Sequence, residues 1–187
     1  AAALAAAGGC FDEPVSAIDV VPSENRVYRK DENLGEVPAD INPKADYLNL
    51  DRNVITNAAA VSGLKELKWL RLNDNRLSAL PELEKLVKLR RIYLRNNRFT
   101  VVPPQLKDLP SLTDIDLSGN PISEFPSWLS EKKGLKNLSF SRTKIVKLPE
   151  NLEALRTLHS LQLGDLRMSA AEMARIRKAL PKVAIVF

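Results

Sequence analysis

The stretch "LKWLRLNDNRLSALP", Leu67–Pro81, decides how this chain folds. Its leucines stand at Leu67, Leu70, Leu72, Leu77 and Leu80, which fits neither a helical period nor an unbroken strand period. Leu70-Arg71-Leu72 alternates as a short strand does, so both leucines face one way and Arg71 the other. The later leucines follow at turn spacing, so the chain doubles back on itself. The same pattern recurs six times, from Ala45, Leu67, Leu89, Leu112, Leu135 and Leu158, at steps of 22 or 23 residues. In register the blocks read "ADYLNLDRNVI", "LKWLRLNDNRL", "LRRIYLRNNRF", "LTDIDLSGNPI", "LKNLSFSRTKI" and "LHSLQLGDLRM". Blocks two to five continue into "LP", "VP", "FP" and "LP".

The pattern L-x-x-L-x-L-x-x-N-x-L, followed by L-P-x-x-L-x-x-L, resembles the leucine-rich repeat family over residues 45–180. The resemblance implies an α/β solenoid, the horseshoe of that family. A parallel β-sheet lines its concave face, and short helical or irregular segments form its convex face. The physical reason is burial. One coil cannot cover its own leucines, but stacked coils share one continuous core. Four to six aliphatic side chains per coil contribute roughly 1.5–3 kcal/mol each before entropy is subtracted.

The ninth position of the block is Asn53, Asn75, Asn97 and Asn120. An Asn there can donate and accept at once, serving backbone groups of adjacent coils. Thr143 replaces it in the fifth block and retains a hydroxyl; Leu166 replaces it in the sixth and cannot hydrogen-bond. The sixth block therefore reads as atypical and C-terminal. Ser169 and Glu172 form a capping box, Met173, Ile176 and Leu180 share a helical face, and Pro181 ends that helix. "VAIVF", residues 181–187 apart from Pro181 and Lys182, reads as a last edge strand. Before the array, Val37-Pro38 and Ile41 look like the second half of a degenerate repeat, while residues 11–36 fit none. Residues 11–44 are expected to tether and cap the array, with "AIDVV" or "RVYR" as an irregular strand.

Net charge is +5, with 44% hydrophobic and 27% charged residues, an ordinary globular composition. No nucleic-acid signature follows from so mild a basicity. No apolar run is long enough to span a bilayer as a helix. One cysteine and one histidine, Cys10 and His159, leave no internal disulfide and no thiol or histidine metal cluster. No phosphate loop occurs among the seven glycines. No catalytic residue, metal or cofactor is expected. Asp114 and Asp116 share a strand face and could hold a cation loosely, although a solvated acidic patch is the plainer expectation. "CFD" at Cys10–Asp12 is similar to the Cys-x-Asp motif of bacterial effector ubiquitin ligases. In that family the motif follows the repeats; here it precedes them, which argues against that chemistry.

Residues 1–10, "AAALAAAGGC", resemble the end of a bacterial lipoprotein signal peptide. Ala7-Gly8-Gly9-Cys10 matches the lipobox imperfectly, with Ala at the position where Leu is preferred. The resemblance implies that the sequence begins inside the signal and that Cys10 carries lipid. It also implies a bacterial cell envelope location, periplasmic or at the surface. The alternatives are an engineered tail, or an Ala-rich leader with a free thiol on a cytoplasmic protein.

Function should reside in the residues between the leucines, which align in columns about 4.8 Å apart. Coils one to three, counted from Ala45, bring together Tyr47, Trp69, Arg71, Arg91, Tyr93 and Arg95. Trp, Tyr and Arg are the residue types enriched at binding hot spots, so these six form the candidate site for a protein ligand. The competing expectation is that the rings cover the sheet and stack with arginine. Just past the Asn, Arg76, Arg98, Lys144 and Arg167 form a basic rim. That rim could instead serve an anionic glycan or lipid headgroup, and a purely structural repeat domain is a third reading. Trp128 falls in the convex half of coil four and is expected to pack.

Overall fold

The computed structural model describes residues 24–187. Cys10, "CFD" and "AIDVV" lie outside the described residues. Eight strands of three residues run side by side in chain order, every neighbouring pair parallel. They are β1 (Arg26–Tyr28), β2 (Tyr47–Asn49), β3 (Trp69–Arg71), β4 (Arg91–Tyr93), β5 (Asp114–Asp116), β6 (Asn137–Ser139), β7 (Ser160–Gln162) and β8 (Ala184–Val186). Their central residues align across the sheet as Leu48, Leu70, Ile92, Ile115, Leu138 and Leu161. All six are 0% exposed. The second leucine of each strand segment continues this core as Leu50, Leu72, Leu94 and Leu117, with Phe140 in the fifth coil. One hydrophobic cluster runs from Val37 to Val183.

The polar ladder is built as the side-chain chemistry requires. Asn75 donates from Nδ2 to the carbonyls of Leu72 and Asn73 in its own coil and of Leu50 in the preceding one, at 3.0–3.2 Å. Its Oδ1 accepts from the Ile55 amide at 3.0 Å. Asn97 and Asn120 repeat the arrangement. Thr143 does not: its hydroxyl is buried without a hydrogen-bond partner. The Thr side chain is shorter than Asn by one heavy atom, too short for a rung between coils.

The residue before each ladder position is left-handed: Arg52, Asp74, Asn96, Gly119, Arg142 and Asp165 have φ between 52° and 67°. Asp, Asn and Gly tolerate this conformation best. At Gly119 a Cβ would also meet Asn96 Oδ1, so a side chain there would require the Asn96 amide to move.

Convex segments vary from coil to coil. Short 3-10 turns occupy Ala59–Gly63, Pro104–Leu106 and Glu153–Thr157, and a helical turn, α1, occupies Ser127–Glu131. Pro103 and Pro126 sit just before two of them with extended ψ, fixing φ where the chain turns. Trp128, on α1, is half-buried against the core. Helix α2 (Ala170–Ala179) follows coil six, and β8 pairs with β7 beyond it. Ile176 and Leu180 are fully buried and Met173 partly so. Half of the capping box forms: the Glu172 amide donates to Ser169 Oγ at 3.1 Å. The Glu172 carboxylate turns elsewhere, accepting from the Leu148 amide and from Arg175.

The N-terminal end differs from its sequence reading. Residues 24–36 fit the repeat register after all: Val27 pairs with Leu48 in the sheet, and Leu34 packs against the core. Asn53 serves this coil as the others serve theirs, donating to Arg29 O and accepting from the Glu32 and Leu34 amides. The disguise lies in Arg29 and Glu32, which stand where other coils have Leu and Asn. They form an ion pair at 2.6 Å, both side chains partly exposed. This turn is coil zero below.

Candidate binding face

The strand residues that point away from the core form the candidate face. Column one reads Arg26, Tyr47, Trp69, Arg91, Asp114, Asn137, Ser160; column two reads Tyr28, Asn49, Arg71, Tyr93, Asp116, Ser139, Gln162. Five of the six expected site residues, Tyr47, Trp69, Arg71, Arg91 and Tyr93, stand in these columns in coils one to three. A third column follows two residues further along each coil, with Asp51, Asn73 and Arg95, the sixth expected residue, in coils one to three.

An aromatic row begins in coil zero. The ring centroids of Tyr28 and Tyr47 are 5.2 Å apart, and those of Tyr47 and Trp69 are 5.7 Å apart, the latter edge to face. Arginines lie over these rings: Arg26 over Tyr47 at 5.8 Å and Arg91 over Trp69 at 4.5 Å. Tyr28 is 55% exposed and leads the row. Sequence reasoning missed Tyr28 and Arg26 because coil zero lacks the leucines that set the register. A usable signal existed in "NRVYR", whose Val27 falls one coil before Leu48.

Tyr93 belongs to another environment. It is 4% exposed, with Arg71 lying 5.4 Å over its ring, so it is not a free surface aromatic. Burial pushes its phenol up to about 12 and also raises that of Tyr47, so both remain protonated at physiological pH. Arg71 itself donates from Nε to Asp51 at 2.8 Å, and Arg91 lies 3.8 Å from Asp114. The arginines thus knit the face together as well as bordering the rings.

The acidic step of coil four is enclosed by its neighbours. Asp114 and Asp116 are buried rather than solvated, because Asn137 donates to Asp114 at 2.6 Å and Ser118 donates to Asp116. Burial pushes the Asp116 carboxyl above the ordinary aspartate range. Among the described residues no group of three or more His, Cys, Asp or Glu side chains could hold a metal ion. No helix among them is long and apolar enough to cross a membrane.

The basic rim is separate from the aromatic row. Arg76, Arg98, Lys144 and Arg167 are all exposed, beyond the ladder rather than on the strands. Pro121 interrupts the column, leaving two pairs of cations. The neighbouring left-handed positions are more engaged: Arg52 pairs Asp31 through two contacts of 2.6 and 2.7 Å.

A parallel sheet of stacked coils with an asparagine ladder defines an α/β repeat solenoid. A family model described as Leucine Rich repeats (2 copies) matches residues 65–99 and 87–130. Residues 65–130 thus match the leucine-rich repeat family model, and the sheet has the topology of a leucine-rich repeat solenoid. No curated protein sequence matches it significantly. Among solved structures it is similar to a leucine-rich repeat protein of Leptospira interrogans, at 25% identity and a TM-score of 0.63. That match covers 83% of this chain and 46% of the other. An internalin from Listeria monocytogenes aligns at 19% identity and a TM-score of 0.58, over 78% of this chain and 50% of its own. A TDR receptor aligns at 22% identity and a TM-score of 0.71, over 87% of this chain and 30% of its own. The chain therefore spans half or less of the length of each neighbour. Leucine-rich repeats commonly mediate protein–protein interaction, and the fold is typically a non-enzymatic scaffold.

Proposed function

We propose that this array is a non-enzymatic recognition module whose strand face, from coil zero to coil three, binds a protein partner. The observation that carries this reading is the Tyr28–Tyr47–Trp69 row, with its leading ring 55% exposed. Aromatic rings set on a rigid sheet lose little freedom on binding, so most of their contact energy becomes affinity. Arg26, Arg71 and Arg91 border the rings and supply donors. Tyr93 and Arg95 support the face from coil three. The test is capture from native cell extracts with wild type and Tyr28→Ala/Trp69→Ala side by side. A partner held by wild type and lost by the variant, at unchanged thermal stability, supports the reading. Equal capture by both removes the row from recognition.

A second reading rests on the exposed cations Arg76, Arg98, Lys144 and Arg167, none of which pairs with a carboxylate among the described residues. Such a rim suits anionic glycan or lipid headgroups. Salt separates the two readings. Binding through the rim weakens steeply at 0.5 M salt, whereas binding through the aromatic row persists.

Anchoring at a bacterial cell envelope through Cys10 is the companion proposal. A fatty-acid probe should label the full-length protein, and Cys10→Ala should abolish the label. An unlabelled, soluble wild type would end it.

A further inference from the structure

The linkers that lead into the strands share one edge of the solenoid. Six of them, residues 42–46, 65–68, 87–90, 110–113, 133–136 and 156–159, each run from a convex segment up to the first residue of a strand. Backbone hydrogen bonds hold them in one row. The Lys68 amide donates to the Asp46 carbonyl, Arg90 to Lys68, Thr113 to Arg90, Lys136 to Thr113 and His159 to Lys136, all at 2.7–2.8 Å. At about 4.8 Å per coil the row is ~24 Å long. It carries eight Lys or Arg side chains, every one exposed, against two carboxylates. That is +6 on one edge of a chain whose net charge is +5. The two acids, Asp46 and Glu66, are each met by one cation, Lys68 and Lys88. Lys65, Arg90, Lys133 and Lys136 are left facing solvent.

The composition of the edge says what it fits. Six of the eight cations are lysines, compact charges on flexible stems. Recognition of a phosphate or carboxylate in a fixed place favours the arginine fork instead. The cations do not converge, because the uncharged linker 110–113 divides them into two groups along the row. No linker carries a Phe, Tyr or Trp on which a nucleobase could stack. Val87, next to Lys88, is 50% exposed. The opposite edge is mixed, with Asp74 and Asp165 standing among its cations.

We propose that this strand-entry edge docks the protein on a bilayer of anionic phospholipid. Lysines spread along such a row match a surface of mobile headgroups. Each is drawn to the negative surface potential without needing a partner in a fixed place. Val87 and the lysine stems then lie among the headgroups, with the ammonium groups reaching the phosphates. The strands run away from the bilayer, and the strand face stands upright on it. The Tyr28–Trp69 row thus stays open to a protein partner. The inference goes beyond the binding-face reading and requires neither that reading nor the Cys10 anchor.

The test is cosedimentation of the full chain with vesicles, using Cys10→Ser throughout so that no acyl chain contributes. Vesicles of about one third phosphatidylglycerol in phosphatidylcholine should bind it at least tenfold more tightly than phosphatidylcholine alone. Salt at about 0.5 M should release it. Lys65→Glu/Arg90→Glu/Lys136→Glu should bind at least tenfold more weakly at an unchanged thermal midpoint, because all three side chains are exposed. Lys65→Gln/Arg90→Gln/Lys136→Gln removes the charges without reversing them and should bind at least threefold more weakly. Arg76→Glu/Arg98→Glu/Lys144→Glu makes the same change of charge on the opposite edge and should stay within threefold of the parent. No preference for the anionic vesicles, or equal effects of the two Glu triples, would overturn the docking edge. Tighter binding to duplex DNA than to the anionic vesicles, at equal phosphate concentration, would assign the edge to nucleic acid and overturn it too. None of these outcomes depends on the Tyr28/Trp69 capture experiment, so the edge and the binding face can fail separately.

Discussion

At the scale of the residue, the ladder position shows how much one side chain decides. Asn75 serves four backbone groups in two coils, all of them in the interior. Asn75→Ala should therefore cost about 2–4 kcal/mol, well above a typical surface substitution. Thr143 is the complement. Its buried hydroxyl has no partner, and Thr143→Asn should restore the missing rung and stabilise the fold by about 1 kcal/mol. Urea unfolding of both variants measures the pair, and a neutral Asn75→Ala would contradict the ladder's role. Which positions are ladder positions is legible in the sequence, because the spacing repeats. Whether a substitute still reaches its partners is not, because the difference between Thr and Asn is one atom of reach. Exposure is similarly hidden. Tyr93 and Trp69 look alike as outward residues and each lies beneath an arginine, yet Tyr93 is buried while Trp69 is only partly so.

At the scale of the element, the ends of the array carry their own chemistry. Helix α2 covers coil six, and Glu172 fastens it to coil five by accepting from the Leu148 amide at 2.9 Å. Arg175 beside it holds the Glu172 carboxyl below the ordinary glutamate range. A lowered folded-state pKa means stability that is present above the ordinary glutamate range and lost as pH falls through the depressed value. Thermal midpoints at pH 7 and pH 3 should differ more for wild type than for Glu172→Gln. An identical acid loss in both would contradict the fastening role. The helix and last strand are legible because Ser169, the apolar face and Pro181 are local signals. Coil zero is not, because two of its repeat positions carry charged residues. Arg29 and Glu32 can stand where interior coils require Leu and Asn, and the repeat disappears from view while the strand pairing remains.

At the scale of the whole molecule, stacking in chain order makes every column a continuous surface, so a binding site is a set of neighbouring coils. The aromatic row, the buried acidic step at Asp114 and Asp116, and the separate basic rim divide that surface into regions of different chemistry. The fold and these columns follow from the repeat; the row's leading ring, Tyr28, does not, because it lies in the coil whose pattern is degenerate. The sequence has two tryptophans, and Trp128 packs on the convex side. Trp128→Phe therefore leaves Trp69 as the sole reporter at the centre of the row. Titrating this variant with the captured partner while following tryptophan emission is the most direct measurement of where the partner sits. Burial of the row predicts a saturable blue shift that Tyr28→Ala weakens at least tenfold; saturation of binding with unchanged Trp69 emission would place the partner elsewhere and contradict the binding face.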